Sequence, residues 1–398
     1  MKRLARTVSA MERSPIRCIF DQANGHADAI HLEIGQPDFA TPAHVIEAAV
    51  EAARNAYTGY TANAGMDELR QAVVLKLARE NKLSVQPGNI MITIGAMEAV
   101  FASMAVLLDP GDEILLPNPG YGNFYMAANV VHAVARAYPT LAAKGFVPDF
   151  EALEAMVTPR TRAMLICSPS NPTGAVYAEE VMRGCLDFCR RHDLYLISDE
   201  TYDQLVFEGE HASPARWDTE GRVISIFSTS KTYSMTGWRV GYAVASTSIV
   251  AAMSKIQEPM VSCVNTVAQH AAIAALTGPQ TCAQEMLTHY RRRRDLAVQI
   301  AQEQGLTIAY PHGAFYMLVD ISGQPLGSQE FAQALLEAEN VAVAPGCAFG
   351  SLCERYVRLS LCASDEALVE GIGRLARYLH AMEPDYALRQ PAPALGLA

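Results

Sequence analysis

Positive charge is scarce in this sequence: 31 lysines and arginines stand against 42 aspartates and glutamates, for a formal net charge of −11. That balance argues against general affinity for nucleic acid or an anionic membrane surface, although a few arginines and backbone amides can still build a local anion site. Membrane-length hydrophobic runs are also missing, and Met1–Phe20 carries Lys2, Arg3 and Arg6 without the apolar stretch of a secretory signal, so a cytoplasmic protein is expected. The nine cysteines are odd in number and scattered, which favours reduced thiols over a disulfide framework. Cys185, Cys189 and His192 could share a helix face, but no second Cys or His pair completes a metal site, and ordinary helix burial is expected. Phosphate-loop signatures are absent too: Gly95-Ala-Met-Glu98 is followed by no Gly-Lys-Ser/Thr, and no dinucleotide fingerprint occurs.

What the chain does have is material for a large core, with 398 residues, 50% of them hydrophobic and only 18% charged. This length predicts a large domain plus a smaller one. From about residue 88 to 245, short apolar strands alternate with helical stretches, the pattern of an α/β domain with a mainly parallel sheet. Strands are expected at Asn89–Ile94, Glu113–Leu116, Ala163–Cys167, Leu194–Ser198, Val223–Phe227 and Val240–Ala245, with a helix over Glu179–Arg191. Most of these strands run into polar or glycine-rich residues, the edge at which open α/β sheets bind ligands.

From about Thr281 the pattern becomes α+β: a long helix, then strands near Ala314–Val319, Val341–Ala344 and Tyr356–Leu361. The first forty-odd residues read as irregular and are expected to pack with this second unit. The predicted division is residues 1–45, 46–285 and 286–398. Consecutive arginines on a helix face different ways, so Arg291–Arg294 reads as a solvated face. The tail Gln390-Pro-Ala-Pro-Ala394 reads as a frayed terminus.

Ser228-Thr-Ser-Lys231 closes a buried strand with three hydroxyl residues and one lysine. A desolvated lysine there can lose its proton and condense with an aldehyde. Asp199-Glu-Thr-Tyr202 places a carboxylate and a phenol on the same edge, where an anion could keep a pyridine nitrogen protonated. Asn171-Pro-Thr-Gly174 adds a rigid turn with a side-chain amide, and Pro117-Asn-Pro-Gly-Tyr121 an aromatic ring that could stack on a flat cofactor. Gly95-Ala-Met-Glu98 puts amides at a helix N-terminus, where a phosphate is stabilised. Each also has a structural reading, as a capped turn, a packed ring or a solvated charge.

Taken in order and spacing, these motifs resemble the fold-type I class I/II aminotransferases related to aspartate aminotransferase, enzymes dependent on pyridoxal 5′-phosphate (PLP). The resemblance runs from about Leu32 to Leu361. It includes Leu32-Glu-Ile-Gly-Gln-Pro-Asp-Phe39, Tyr60 with Gly65 and Glu68-Leu-Arg70, Gly237-Trp-Arg-Val-Gly-Tyr242 and Tyr356-Val-Arg-Leu-Ser360. It implies that Lys231 forms the Schiff base, that Asp199 pairs with the pyridine nitrogen, and that Asn171 and Tyr202 bond the ring oxygen. Ser228, Ser230, Arg239 and the amides of Ala96 and Met97 would hold the phosphate, with Tyr121 stacked on the ring. Arg358 would grip the substrate α-carboxylate with Gly35 beside it, and Tyr60 would reach the phosphate of a neighbouring subunit, which implies a homodimer.

Two positions depart from the best-known members: Tyr121 stands where aspartate aminotransferase itself often has tryptophan, and Ala96-Met97 where small hydroxyl residues are also found. The expected activity is ping-pong transfer of an L-amino acid's amino group to a 2-oxo acid. A C–S β-lyase is the closest alternative, and a non-catalytic PLP-binding regulator a distant one that the short N-terminal segment and acidic composition disfavour.

Overall fold

The computed structural model describes residues 2–9 and 11–382, so the tail 390–394 lies outside the described residues. Its thirteen strands, in chain order, are β1 (Ile30–His31), β2 (Ile90–Thr93), β3 (Glu113–Asn118), β4 (Val134–Pro139), β5 (Thr161–Cys167), β6 (Tyr195–Asp199), β7 (Val223–Ser228), β8 (Gly241–Val244), β9 (Ile308–Ala309), β10 (Tyr316–Asp320), β11 (Val341–Ala342), β12 (Ala344–Pro345) and β13 (Tyr356–Ser360). Seven of them form one sheet in the order β2-β8-β7-β6-β5-β3-β4. The strands from β7 to β4 pair in parallel, whereas β8 runs antiparallel to both neighbours.

β2, β3, β7 and β8 are buried along their whole length, and β5 and β6 nearly so, which is why they read as continuous apolar runs: helices cover both faces. β4 escaped the sequence reading because it is a half-exposed edge strand continuing directly from the helix Gly122–Val130. Met91, Leu116, Leu165, Ile197, Ile226 and Ala243 meet the helix Ala96–Leu107 on one face. Leu115, Met164, Ile166 and Leu196 pack with Leu186 and Phe188 of the helix Glu179–Arg191 on the other. Cys185 and Cys189 are buried within this second layer, and all nine cysteines are free thiols.

A second, antiparallel sheet has the order β12-β13-β10-β9, and β1 pairs with β11 beside it. The helices Thr281–Glu303 and Asp365–Met382 pack on each other and on a core containing Tyr290, Phe315, Met317, Phe331, Val357, Leu359 and Leu375. Ile19, Ala23 and Leu32 join that core, so the N-terminal stretch does associate with the later elements. It is less irregular than its sequence suggests, since it contains helices Arg6–Ser9 and Pro15–Ala23, the latter with proline at a first-turn position where its missing N–H costs nothing.

The solvated-face expectation for Arg291–Arg294 holds for half of the run: Arg291 and Arg292 are exposed. Arg293 and Arg294 are not on a solvated face: they are 7% and 3% exposed. Arg293 pairs through both terminal nitrogens with Asp38, at 2.8 and 2.7 Å. Arg294 bonds the Pro311 carbonyl at 2.8 Å, meets Glu208 at 3.0 Å and lies against the rings of Phe207 and Tyr310. Long aliphatic stems and distant partners bury two guanidiniums that the local pattern assigned to water.

The parallel arrangement sends the C-terminal ends of β3, β5, β6 and β7 to one edge, and β2, antiparallel to the reversed β8, ends there too. No described helix is long and apolar enough to cross a membrane.

Candidate active site

The lysine is set by the turn between β7 and β8. Ser228 caps the short helix Thr229–Thr232, its Oγ accepting from the Ser230 N–H at 3.1 Å and donating to Ser230 Oγ at 2.9 Å. Thr229 donates through both its N–H and its hydroxyl to the Val240 carbonyl, at 3.2 and 3.0 Å, which ties the turn to the far side of the hairpin. Lys231 projects from this helix, and its Nζ donates to the Gly35 carbonyl at 2.6 Å. Part of the side chain remains accessible, yet burial of the amine, assisted by the Arg358 and Arg239 charges, lowers its pKa to about 8. The neutral amine is therefore more accessible near physiological pH than in an ordinary lysine.

Asp199 ends β6 and is 7% exposed. Its Oδ1 accepts from the Thr201 N–H at 3.1 Å and hydroxyl at 2.6 Å, whereas Oδ2 has no hydrogen-bond partner among the described residues. Burial raises the carboxyl to about 6 against the pull of these two bonds and of the Lys231 charge. A buried carboxylate of this kind is stabilised by a cationic donor, such as a protonated ring nitrogen.

Three residues further along the same loop, the Tyr202 hydroxyl meets that of Tyr316 at 2.9 Å. Burial pushes both phenols upward, so both stay protonated. Tyr316 was not singled out from sequence. It opens β10 opposite Ser360 of β13, two positions from Arg358 on the same strand, and only the pairing of these distant strands brings it to the site. A side chain on Gly35 would run into the Tyr316 ring, so glycine is needed there for close approach of the backbone.

Arg358 is 2% exposed and pairs with no carboxylate among the described residues. Its Nη1 donates to Asn171 Oδ1 at 2.9 Å, its Nη2 to the Glu33 carbonyl, and its Nε is buried without a partner. The guanidinium lies over the rings of Tyr316 and Phe349, at 4.2 and 4.9 Å. Phe349 is a second residue that the sequence did not reveal. A buried, uncompensated cation with an unused donor is a costly arrangement unless an anion is meant to meet it.

A second group lies at the β2 and β8 ends. Gly95, with φ of 73°, precedes the helix Ala96–Leu107, whose first residues are Ala96 and Met97. Arg239 donates to the carbonyls of Thr236 and Ile94, at 2.8 and 3.2 Å. A Cβ on Gly95 would come 2.5 Å from Arg239 Nη2, and one on Gly241 would come 2.7 Å from the Ala96 nitrogen. Ser228 pairs with Gly241 in the sheet register. Small residues thus bring a helix N-terminus, a guanidinium and a serine cap together, a set of donors suited to a phosphate.

Tyr121 caps the helix Gly122–Val130 with its ring edge-on to Phe124, and its half-buried hydroxyl accepts from Asn123 at 2.9 Å. Its hydroxyl also feels the Arg358 and Asp199 charges. Tyr60 stands apart, 93% exposed. Beside the lysine turn a cleft of about 570 Å³ opens, lined among others by Gln36, Phe39, Ser234 and Trp238.

Among known proteins, the profile of the family described as Aminotransferase class I and II matches residues 27–375. The aspartate/prephenate aminotransferase of Thermus thermophilus is 39% identical over 95% of this chain and 99% of its own length. The aromatic-amino-acid aminotransferase 2 of Thermococcus litoralis is 37% identical over 92% and 95%. Among solved structures, the Thermus thermophilus aspartate aminotransferase with maleate superposes with a TM-score of 0.90 at 38% identity, covering 95% of this chain and all of the other. The Thermotoga maritima aspartate aminotransferase gives 0.89 at 34%, over 94% of this chain and all of the other. The chain has the fold-type I architecture and belongs to the class I and II aminotransferases, enzymes that transfer amino groups.

Proposed function

We propose that the enzyme holds PLP through Lys231 and moves the amino group of an L-amino acid to a 2-oxo acid in two half-reactions. The observation that carries this reading is the buried Arg358 guanidinium, without a carboxylate partner among the described residues, in the same site as an amine whose pKa is lowered to about 8. A planar fork of donors suits an α-carboxylate, and binding it there brings Cα toward Lys231.

In this reading Asp199 faces the ring nitrogen, Tyr202 and Asn171 bond the ring oxygen, and Tyr121 covers the ring. Ser228, Ser230, Arg239 and the amides of Ala96 and Met97 receive the phosphate. PLP, when bound, supplies the electron sink for cleavage of the Cα–H bond. Lys231 would serve as the general base that takes the Cα proton and as the general acid that returns it. Arg358 holds the carboxylate throughout, with Gly35 beside it.

The exposed apolar side chains of Ile46, Val50, Tyr57, Tyr60 and Met260 support a homodimer in which Tyr60 reaches the partner's phosphate site. The seven-stranded sheet and the later antiparallel sheet support a division into residues 46–285 and 286–398, with 1–45 attached to the latter through Ile19, Ala23 and Leu32; shared clusters such as that of Leu115, Met164, Leu318 and Phe349 join the two parts. Free cysteines support residence in a reducing cytoplasm. Arg293 and Arg294 are committed to carboxylates and carbonyls of this chain, which disfavours these two as readers of the donor's side chain.

The test is a donor-by-acceptor screen of the purified enzyme, beginning with L-aspartate and the aromatic amino acids, followed by conversion of the bound aldehyde cofactor to its amine form. Conversion by an amino acid, restored by a 2-oxo acid, is expected. Release of ammonia and pyruvate from a cysteine conjugate without that conversion would replace the reading with a β-lyase.

A further inference from the structure

Two cations of the proposed site, Lys231 and Arg358, hold the same piece of chain, and they do so through its backbone. Residues 33–41 run from the β1–β11 pair to the helix Ala43–Arg54. At one end Leu32 donates to the Ala342 carbonyl at 2.9 Å and accepts from the Ser360 N–H at 2.7 Å. At the other, the Thr41 hydroxyl donates to the Ser234 carbonyl at 2.7 Å and accepts from Trp238 Nε1 at 3.0 Å, while the Ser234 hydroxyl donates to the Phe39 carbonyl. Between these anchors, the Glu33 carbonyl is held by Arg358 and the Gly35 carbonyl by Lys231.

These two central bonds use donors that the chemistry needs elsewhere. When Lys231 takes part in the reaction and Arg358 turns to a carboxylate, both carbonyls lose a charged donor. One connection in the middle of the strap uses neither residue. Asp38 accepts from Arg293 Nη1 and Nη2 at 2.8 and 2.7 Å, a two-point charge-assisted pair, and Arg293 Nε also faces Asp365 at 3.4 Å. Phe39 adds an edge-on contact to Tyr290 at 5.5 Å, and the Arg293 guanidinium lies 5.4 Å over the Phe39 ring.

We propose that Asp38 and Arg293 are positioning residues. Their ion pair keeps the Gly35–Gln36 wall closed against the substrate carboxylate while Lys231 and Arg358 are engaged. The inference rests on the assignment of Lys231 and Arg358 proposed above. It predicts that losing the pair weakens productive substrate binding more than it weakens the fold, because the strap's two end anchors remain.

The experiment uses the holoenzyme of Asp38→Asn, which removes one charge at nearly constant shape, together with Arg293→Lys, which keeps the charge but loses the fork. The donor is whichever of L-aspartate and L-phenylalanine the wild type converts. KM for that donor is expected to rise about tenfold in Asp38→Asn, with kcat within about threefold of wild type; the unfolding midpoint falls as well, because Arg293 keeps only Asp365 as a carboxylate partner. Arg293→Lys should fall between the two. Amide hydrogen exchange across residues 33–41 should quicken in both variants, while the peptide carrying Lys231 exchanges as in wild type.

The double variant Asp38→Asn/Arg293→Lys should cost no more than the worse single one, since the two act as a unit. Unchanged KM and exchange in Asp38→Asn would overturn the proposal, as would losses confined to kcat and the unfolding midpoint. Borohydride trapping of the cofactor on wild-type Lys231 separates the two layers: without trapping the underlying assignment fails, whereas trapping with indifferent variants sinks the clasp alone.

Discussion

Arg358 shows how much of this site depends on one side chain's geometry. Its Nη1 and Nη2 are satisfied by Asn171 and Glu33 while Nε is not, and its flat face lies on Tyr316 and Phe349. A lysine would keep the charge and lose both the fork and the stacking. Arg358→Lys is expected to raise KM for the amino donor by at least about tenfold with a smaller effect on kcat, checked by steady-state kinetics. Lys231 carries a pH prediction. With the amine lowered to about 8 from an ordinary 10.5, the neutral nucleophile accumulates as pH rises through 8. The rate at which the apoprotein captures added PLP should climb to about pH 8.5 and then level, as followed by the aldehyde absorbance. A continued rise toward pH 10 would mean an ordinary surface lysine. Lys231→Ala should abolish both transamination and the borohydride-trappable adduct. Lys231 was legible because it follows an apolar strand, whereas Arg358, in the middle of β13, was legible only through the resemblance of Tyr356-Val-Arg-Leu-Ser360 to a known family. Tyr316 and Phe349 were not legible, since their partners in the site, Tyr202 and Arg358 for the first and Arg358 for the second, are brought to them only by tertiary packing.

At the scale of elements, the strand ends were readable because β3, β5, β6 and β7 are buried on both faces and so appear as unbroken apolar runs. β4 was missed for the converse reason, being a half-exposed edge. Half of the arginine run was misread, because Arg293's partner Asp38 lies 255 residues earlier in the chain, where no helical spacing rule can find it. The close approach of β8 to the Gly95 turn, also invisible locally, makes a specific demand. Gly241→Ala would place a methyl carbon 2.6 Å from the Gly95 carbonyl carbon and 2.7 Å from the Ala96 nitrogen. It should loosen the cofactor at least about tenfold, read as PLP lost on dialysis, because the amides proposed to face the phosphate must shift. Beneath the Asp199 loop, the helix Asp67–Glu80 contributes Lys76, whose buried ammonium pairs with Asp203 and bonds Asn81 at 2.7 Å. Lys76→Met would leave the Asp203 charge buried with reduced support and should cost about 3–5 kcal/mol in denaturant unfolding. Removing both charges with Lys76→Met/Asp203→Asn should recover much of that loss.

For the whole molecule, the decisive question is whether one chain makes a complete site. Tyr60 is 93% exposed and stands away from Lys231's partners. If it serves a neighbour, mixing inactive Lys231→Ala protomers with weakened Tyr60→Ala protomers should restore activity. Random hybrids would contain intact sites at about a quarter of the wild-type number. No recovery on mixing, with exchange of protomers shown by mass, would leave Tyr60 as a surface ring.

The order of contributions along the chain has a further consequence. The turn bearing Lys231 and the hairpin that fixes it span residues 228–241, and the groups proposed to surround PLP, apart from the partner's Tyr60, all come from the first 241 residues. Arg358, Tyr316 and Phe349 come from the second sheet and its connections. As the chain leaves the ribosome, the sheet proposed to receive the cofactor is therefore finished more than a hundred residues before the guanidinium proposed to receive the substrate. Cofactor capture can begin on a nascent chain that is not yet able to bind an amino acid, and a chain truncated before β10 should retain the elements of the first ability and lack the second.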